Sequence, residues 1–446
     1  MGFIVQNRYV VLSQAKTLGN NIFHERLYTA QGRLNGSGTN IHISTDMEED
    51  VIEPTVNSLV SSLSEVTIST KDPSLDFPFL RDPKTITYIK SFKTVFIMRG
   101  VSGSGKSTIA RAIQKVYPSA VLCSADDYFM REGEYHFSAD DLESAHKYCQ
   151  RLAEEAVRKD SNVIIIDNTN VKRWEMKFYM DLARQHLYRT VIVEPKLDWR
   201  NNPSLLASRN IHDVDENTIR KKIKAFEDYV PFYYAWFLNR TDSTMVYNKC
   251  CNTLRDCIKN VPGFCSFVLD KDCSVEEFLE YFRLSEMPHS LYHCTAKFLG
   301  GPKSGTVRRL EYHQSTEVQE ACGKSFKITM TGMIVTSAVV AARIKLSSEE
   351  LLMIYDKPEE NTDGRLKDKL CYPKGSTAHL TIATAEGVLP KHSNTEILAI
   401  ADMERNNADG KVSHRLKSGV VNLWDQYYCS VNFETPVEIN TLFSGF

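Results

Sequence analysis

No stretch of the 446-residue chain approaches the ~20 consecutive apolar positions that a bilayer-spanning helix needs. Neither sign of charge is in excess: 54 Lys and Arg stand against 56 Asp and Glu, a net charge of −2. Proteins that wrap a nucleic-acid duplex carry a strong basic excess, so that class is excluded. A small phosphorylated ligand held by a few placed donors is not. The eleven cysteines form no C-x-x-C pair, and Cys250 and Cys251 are adjacent. An odd, scattered set indicates reduced thiols and a cytoplasmic setting rather than a disulfide framework. The opening MGFIVQNRYV has no basic n-region and no long apolar run, so no signal peptide is expected. Gln6 stands where myristoylation after Gly2 needs Ser or Thr, and TLFSGF has no C-a-a-X cysteine, so no intrinsic membrane anchor is expected. Repeats of solenoid type are missing too.

What is present divides the chain in three. Residues 1–90 are rich in Ser, Thr, Asn and acids and hold no sustained apolar period, which predicts a largely disordered extension. Residues 91–240 alternate short apolar runs (TVFIMRG, AVLCS, NVIIID, RTVIVEP) with helix-like segments near 139–158 and 172–187. That alternation predicts an α/β domain, a parallel sheet covered by helices on both faces. Residues 215–238 read as a further helical stretch broken by Pro231, with the Tyr and Phe residues at 229–237 on a packed helix, and 241–253 as a connector. Residues 241–446 mix strand-like segments (among them CSFVLD, LYHCTAKF, HLTIAT, YYCSVNFE and VEINTLF) with four helical ones, an α+β texture with antiparallel sheet.

The first chemistry-bearing motif runs from Gly100 through Gly103 and Gly105 to Lys106, Ser107 and Thr108, matching G-x-x-x-x-G-K-[ST] between a strand and a helix. Glycines there let backbone N–H groups turn inward around phosphate oxygens at a helix N-terminus. Lys106 reaches the terminal phosphates and Ser107 is the Mg²⁺ ligand, so ATP or GTP with Mg²⁺ is the expected cofactor of this domain. Two strand-end acids, Asp126 in SADDY and Asp167 in VIIIDNTN, are candidates to complete the site.

The second motif is H-x-T. Five of the twelve histidines (His42, His136, His293, His313 and His379) have Ser or Thr two residues later, so the pattern alone carries little. Only His293 (LYHCTAKF) and His379 (AHLTIAT) lie inside strand-like sequence with Thr in the second slot. Residues i and i+2 of a strand project from one face, so His293 points with Thr295 and His379 with Thr381. If the two strands meet, two proton-exchanging imidazoles and two hydroxyl donors converge on a volume the size of a phosphate. Phe298 falls opposite His293 by strict alternation and is expected in the core.

Two resemblances sharpen this. The loop and its acids resemble the P-loop domain of polynucleotide 5′-kinases, which implies that Asp126 activates a hydroxyl, that Asp167 belongs to a D-x-T-N segment, and that Arg209 is a lid arginine. Those kinases carry Arg three residues after the acid; here the position is Phe129. The segments HCTAKF, GSTAHLTI, VEPKLDW and PFYYAWFL, in that domain order, resemble the 2′,3′-cyclic-nucleotide 3′-phosphodiesterase family over about residues 94–446. That resemblance implies a two-lobed two-histidine phosphoesterase domain with catalytic His293, Thr295, His379 and Thr381, and no cofactor for the phosphodiesterase. It also implies 2′,3′-cyclic nucleotides or RNA 3′ ends as substrates, and RNA or cytoskeletal partners. In this family's myelin members a basic residue stands two before the second histidine, where this chain has Thr377. His379 is expected as general base and His293 as general acid, an order the motif does not fix. A 5′-end RNA kinase and an RNA- or cytoskeleton-binding scaffold are the other readings the sequence allows.

Overall fold

The computed structural model describes residues 72–196, 199–300, 306–354, 372–406, 411–425 and 427–446. The part of the expected extension before residue 72 lies outside the described residues. The expectation of disorder fails over the last part of that extension. Pro78–Arg81 and α1 (Pro83–Lys90) are helical, each begun by a proline in its first turn. Asp82 caps α1 by accepting from Thr85 N at 3.1 Å. Phe79, Leu80, Tyr88 and Ile89 are buried, and Tyr88 Oη donates to the Asn440 carbonyl at 2.9 Å. Apolar residues too sparse to show a period still anchor this segment, because a short helix needs only one buried stripe.

The first domain has four parallel strands in the order β2 (Val121–Ser124), β3 (Val163–Asp167), β1 (Thr94–Met98), β4 (Arg189–Val193). All five residues of β1 and of β3 are buried, as continuous apolar runs require when helices cover both faces. Phe96 and Met98 pack with Ile109 and Ile113 of α2 (Lys106–Val116). Val95 and Ile97 pack on the other face with Cys149 of α3 (Leu142–Arg158) and Met176 of α4 (Arg173–Gln185). Two short helices, α5 (Pro203–Arg209) and α6 (Glu216–Lys224), follow β4.

Two expectations fail at the junction. Tyr233–Phe237 is strand β5, not a helix, and residues 241–253 lie inside α7 (Arg240–Asn260) rather than in a connector. Val246, Cys250, Leu254 and Cys257 recur at helical spacing and are buried, while Asn239 caps the helix by accepting from Asp242 N at 2.7 Å. CSFVLD, expected as a strand, lies almost wholly in helix α8 (Phe264–Leu269), entered through Gly263 at φ 68°. A six-residue apolar run reads equally as either element, and its burial against α7 decides.

The second sheet is antiparallel throughout. It contains β5, β6 (His293–Phe298), β7 (Ser325–Thr336), β8 (Val339–Lys345), β9 (His379–Thr384), β10 (Val412–Leu416), β11 (Gly419–Leu423) and β12 (Tyr428–Gly445). The two segments expected as separate C-terminal strands are one 18-residue strand, β12. Its register against β7 breaks between Asn432 and Val437, around Pro436, which has no N–H for the ladder. Because β12 pairs with β7 along its length and with β5 at its end, the strands β12, β5, β6, β9, β8 and β7 close a ring. The central pair of that ring is β6 and β9, the two H-x-T strands.

Candidate functional sites

Cys294 of β6 is paired with Leu380 of β9, and both side chains are fully buried in the core of the second domain. Strand alternation therefore turns His293, Thr295, His379 and Thr381 together onto the opposite face. On this face Thr295 is exposed and the other three are half-buried. Each histidine is held by the carbonyl two residues before it. His379 Nδ1 lies 2.7 Å from the Thr377 carbonyl, an oxygen that only accepts, so Nδ1 carries the proton. For His293 the backbone partner is Leu291. Position 377 thus contributes through its backbone, and the side chain there is not what orients His379.

Burial is the largest influence on His293, followed by the positive charges of Arg189 and His379. Together they push its pKa down to about 4, so the ring is neutral at pH 7. The ring stacks on Tyr233 with centroids 5.1 Å apart and packs on Phe237 at 5.3 Å. Thr381 Oγ1 lies 2.9 Å from Oγ of Ser393, a fully buried residue in the first turn of α9 (His392–Arg405). Sequence reasoning missed Ser393, because serine at a helix start is commonplace.

Phe298 is 68 % exposed, against the expectation of core packing. The register shows why. Ala235 faces Thr295 but Tyr233 faces Phe298, so β6 carries one extra residue at Ala296. That bulge reverses alternation and brings Phe298 onto the His293 side. Of the other H-x-[ST] residues, His136 is exposed near Glu134, and His313 Nδ1 is tied to Tyr234 Oη at 2.6 Å. His42 lies outside the described residues.

The phosphate loop leaves β1 and enters α2. Gly105, at φ 86°, is the residue before the helix, and Gly103, at φ 79°, lies so close to α5 that a Cβ would meet the Leu206 carbonyl oxygen at 2.1 Å. Lys106 is buried and donates from Nζ to the Val101 carbonyl at 2.9 Å. Burial brings its pKa down to about 8, against the opposing pull of Asp167. Asp167, at the end of β3, is buried too. Burial raises its carboxyl, while a hydrogen bond from Ser107 and the charge of Lys106 oppose the rise. Asp167 Oδ1 has no partner among the described residues. Gly100 joins the loop to the D-x-T-N segment through N–H to the Thr169 carbonyl, whereas Thr108 is exposed on the outer side of α2.

Asp126 is half exposed, with Tyr135 Oη at 3.4 Å from Oδ1 and His212 Nε2 at 3.4 Å from Oδ2. Neither neighbour carried a sequence signal. Phe129, where related kinases have arginine, is in the core among Tyr128, Tyr135 and Phe137. Arg209 is exposed and its guanidinium lies over the Trp199 ring at 4.4 Å.

A parallel-sheet P-loop domain fused to an antiparallel domain with two H-x-T strands defines a two-histidine phosphoesterase with a nucleotide-binding fold in front. Residues 230–446 match the family described as 2′,3′-cyclic nucleotide 3′-phosphodiesterase. Residues 95–230 match the AAA domain. The mouse 2′,3′-cyclic-nucleotide 3′-phosphodiesterase is 29 % identical over 384 residues, 84 % of this chain and 87 % of that protein. Human NEDD4-binding protein 2 is 42 % identical over 134 residues, 30 % of this chain and 8 % of its own. Among solved structures, a fungal RNA kinase crystal structure covers 80 % of this chain and 99 % of its own at 11 % identity, with a TM-score of 0.26. No helix among the described residues is long and apolar enough to cross a membrane.

Proposed function

We propose that the protein hydrolyses nucleoside or RNA-terminal 2′,3′-cyclic phosphates to 2′-phosphates at the face shared by His293, Thr295, His379 and Thr381, in the cytoplasm. The observation that carries this is the Cys294–Leu380 pairing, which sets two imidazoles and two hydroxyls on one side of two neighbouring strands. Neutral His293 suits the general base, and it takes a proton from the attacking water. That reverses the roles expected from the sequence, for a physical reason: burial and two cationic neighbours keep His293 uncharged. His379, whose Nδ1–H is fixed on the Thr377 carbonyl, delivers a proton from Nε2 to O3′ as the P–O3′ bond breaks. Thr295 and Thr381 donate to the non-bridging oxygens as negative charge accumulates. Phe298 stands on the same side, free to stack on the base. The scheme needs no metal ion.

For the P-loop, the unpartnered Asp167 Oδ1 beside Ser107 and Lys106 fits a nucleoside triphosphate with Mg²⁺. Lys106 and the loop N–H groups would hold the phosphates, and Ser107 and Asp167 the metal. The bound nucleotide would supply a transferable phosphoryl group. A second reading, transfer to an RNA 5′-hydroxyl with Asp126 as base, draws on the half-exposed Asp126 carboxylate. Phe129, buried in the core, stands where related kinases carry the arginine that holds the substrate phosphate.

The deciding experiment supplies 2′,3′-cyclic AMP and identifies the product by chromatography. A 2′-phosphate formed by the wild type, and lost in both His293→Ala and His379→Ala, is expected. No hydrolysis, or a 3′-phosphate product, removes the reading. Labelled ATP with a 5′-hydroxyl oligonucleotide, and Lys106→Ala as control, tests the second.

A further inference from the structure

The two-histidine face is bordered by a residue from the other domain. Arg189 opens β4, the edge strand of the parallel sheet, with its N–H bonded to the Lys93 carbonyl. Strands of a parallel sheet run the same way, so Arg189 and the phosphate loop occupy opposite ends of it. Val193, not Arg189, pairs with Met98 at the loop end. Four residues at ~3.3 Å each put Arg189 about 13 Å from that end, which removes it from the nucleotide phosphates. Its guanidinium instead lies over the Phe237 ring at 3.8 Å and near the Phe446 ring at 5.7 Å. Phe237 is the residue paired with His293, and the same ring packs on the His293 imidazole at 5.3 Å. One aromatic side chain therefore has the arginine and the histidine as neighbours.

Arg189 has no counter-ion among the described residues. Among the described residues no carboxylate lies within ion-pair distance of it, and its buried Nε has no hydrogen-bond partner. By contrast, Arg99 bonds Glu194 and three backbone carbonyls, and Arg343 bonds Glu404 twice. A buried guanidinium N–H without a partner is costly, and an anion entering beside it recovers that cost. Its planar fork matches phosphate oxygens.

Building on the function proposed above, we infer that Arg189, supplied by the P-loop domain, is an anion-binding residue of the two-histidine site and takes an oxygen of the scissile phosphate. The site is then composite: the second domain supplies the acid, base and hydroxyls, and the first supplies the cation. Burial lowers the Arg189 pKa only to about 10, so it stays charged at pH 7. Its charge also helps keep His293 neutral until the phosphate monoanion arrives between them.

The test uses the full chain with Arg189→Met and Arg189→Lys. Titration calorimetry with 2′-AMP and with inorganic phosphate gives affinity. Kinetics with 2′,3′-cyclic AMP, and with a dinucleotide ending in the cyclic phosphate, gives KM and kcat. Arg189→Met is expected to weaken 2′-AMP by about 10- to 100-fold, as loss of a charged hydrogen bond does, and to raise KM by the same factor for both substrates. The groups acting on His293 are Arg189 and His379, with Tyr233 stacked on it. Removing Arg189 alone therefore moves the low-pH limb of kcat/KM upward, a shift that loss of a merely structural arginine would not produce. Arg189→Lys keeps the charge without the fork, so it falls between the two in affinity and leaves the limb in place. If Arg189→Met fails to fold, the lysine variant carries the test, and wild-type affinity in it overturns the inference. Unchanged affinity in Arg189→Met overturns it too, as does a KM effect confined to the dinucleotide, which would put Arg189 on the flanking phosphate. A wild type that hydrolyses no cyclic nucleotide yet binds phosphate in an Arg189-dependent way removes the proposed function and leaves the anion site standing.

Discussion

Cys294 and Leu380 face one another across β6 and β9, and both are sealed in the core. That apolar pair is what makes the polar site possible. A slip of one residue in either strand would bury a histidine and a threonine and expose the apolar residues between them. The core therefore fixes the register, and the register fixes the positions of His293, Thr295, His379 and Thr381.

The acid and base assignments predict a pH profile. His293 works as a base only when neutral, and its pKa is depressed to about 4. kcat/KM should be flat on the low side down to about pH 4 and fall below it by about tenfold per unit. Were His293 the acid, kcat/KM would already be falling as pH rises through 4. Replacing either histidine with alanine should cost about 10²–10⁴ in kcat. Steady-state kinetics between pH 3.5 and 9 distinguishes the two assignments.

Ser393 directs the Thr381 hydroxyl from α9. Ser393→Ala leaves that hydroxyl without its partner, and should lower kcat/KM by about three- to tenfold while destabilising the fold by ~1 kcal/mol. Thr381→Ala should cost more activity, about 10²-fold, because the donor itself is gone. Kinetics and urea denaturation of the two variants check the order. Equal activity in Ser393→Ala and wild type would mean that Thr381 is oriented by something else.

The phosphate loop was fully legible because its glycines, lysine and serine are local in sequence and the flanking strand and helix have clean periods. The two H-x-T strands were legible for the same reason, once alternation separated His293 and His379 from three look-alikes. What escaped depended on contacts far apart in sequence. The polar opening of α7 concealed a buried stripe of Val246, Cys250, Leu254 and Cys257, and Tyr233–Phe237 became a strand because β6 and β12 were there to receive it. Phe298 was misplaced by an extra residue that no alternation rule contains. Ser393 and Arg189 reach the site from α9 and from the neighbouring domain, so only tertiary structure could bring them there.

Gly103 predicts an effect on nucleotide binding alone. Gly103→Ala must hold φ near 79° and push its Cβ against the Leu206 carbonyl, which a Cβ would meet at 2.1 Å. The loop or α5 has to move, at a cost of about 1–3 kcal/mol. The expected result is loss of the thermal stabilisation given by ATP with Mg²⁺, with cyclic-phosphate hydrolysis little changed, since the two-histidine site lies at the far end of the sheet. Differential scanning fluorimetry with and without nucleotide reads the first, and kinetics the second.

Phe298 gives the sharpest contrast between a structural and a functional side chain. It is 68 % exposed, and the bulge at Ala296 turns it to the His293 side next to Tyr233. An aromatic ring with so little packing contributes little to the fold, so Phe298→Ala should leave Tm nearly unchanged. A base stacked on it would lose about 1–3 kcal/mol, raising KM for 2′,3′-cyclic AMP by about 5- to 100-fold with a smaller change in kcat. Uniform binding lost in this way appears in KM, whereas the histidine and threonine variants lose kcat. Phe298→Tyr should restore KM, because the ring face returns. An unchanged KM in Phe298→Ala would remove this residue from the substrate site and leave the phosphate chemistry of the four strand residues as it stands.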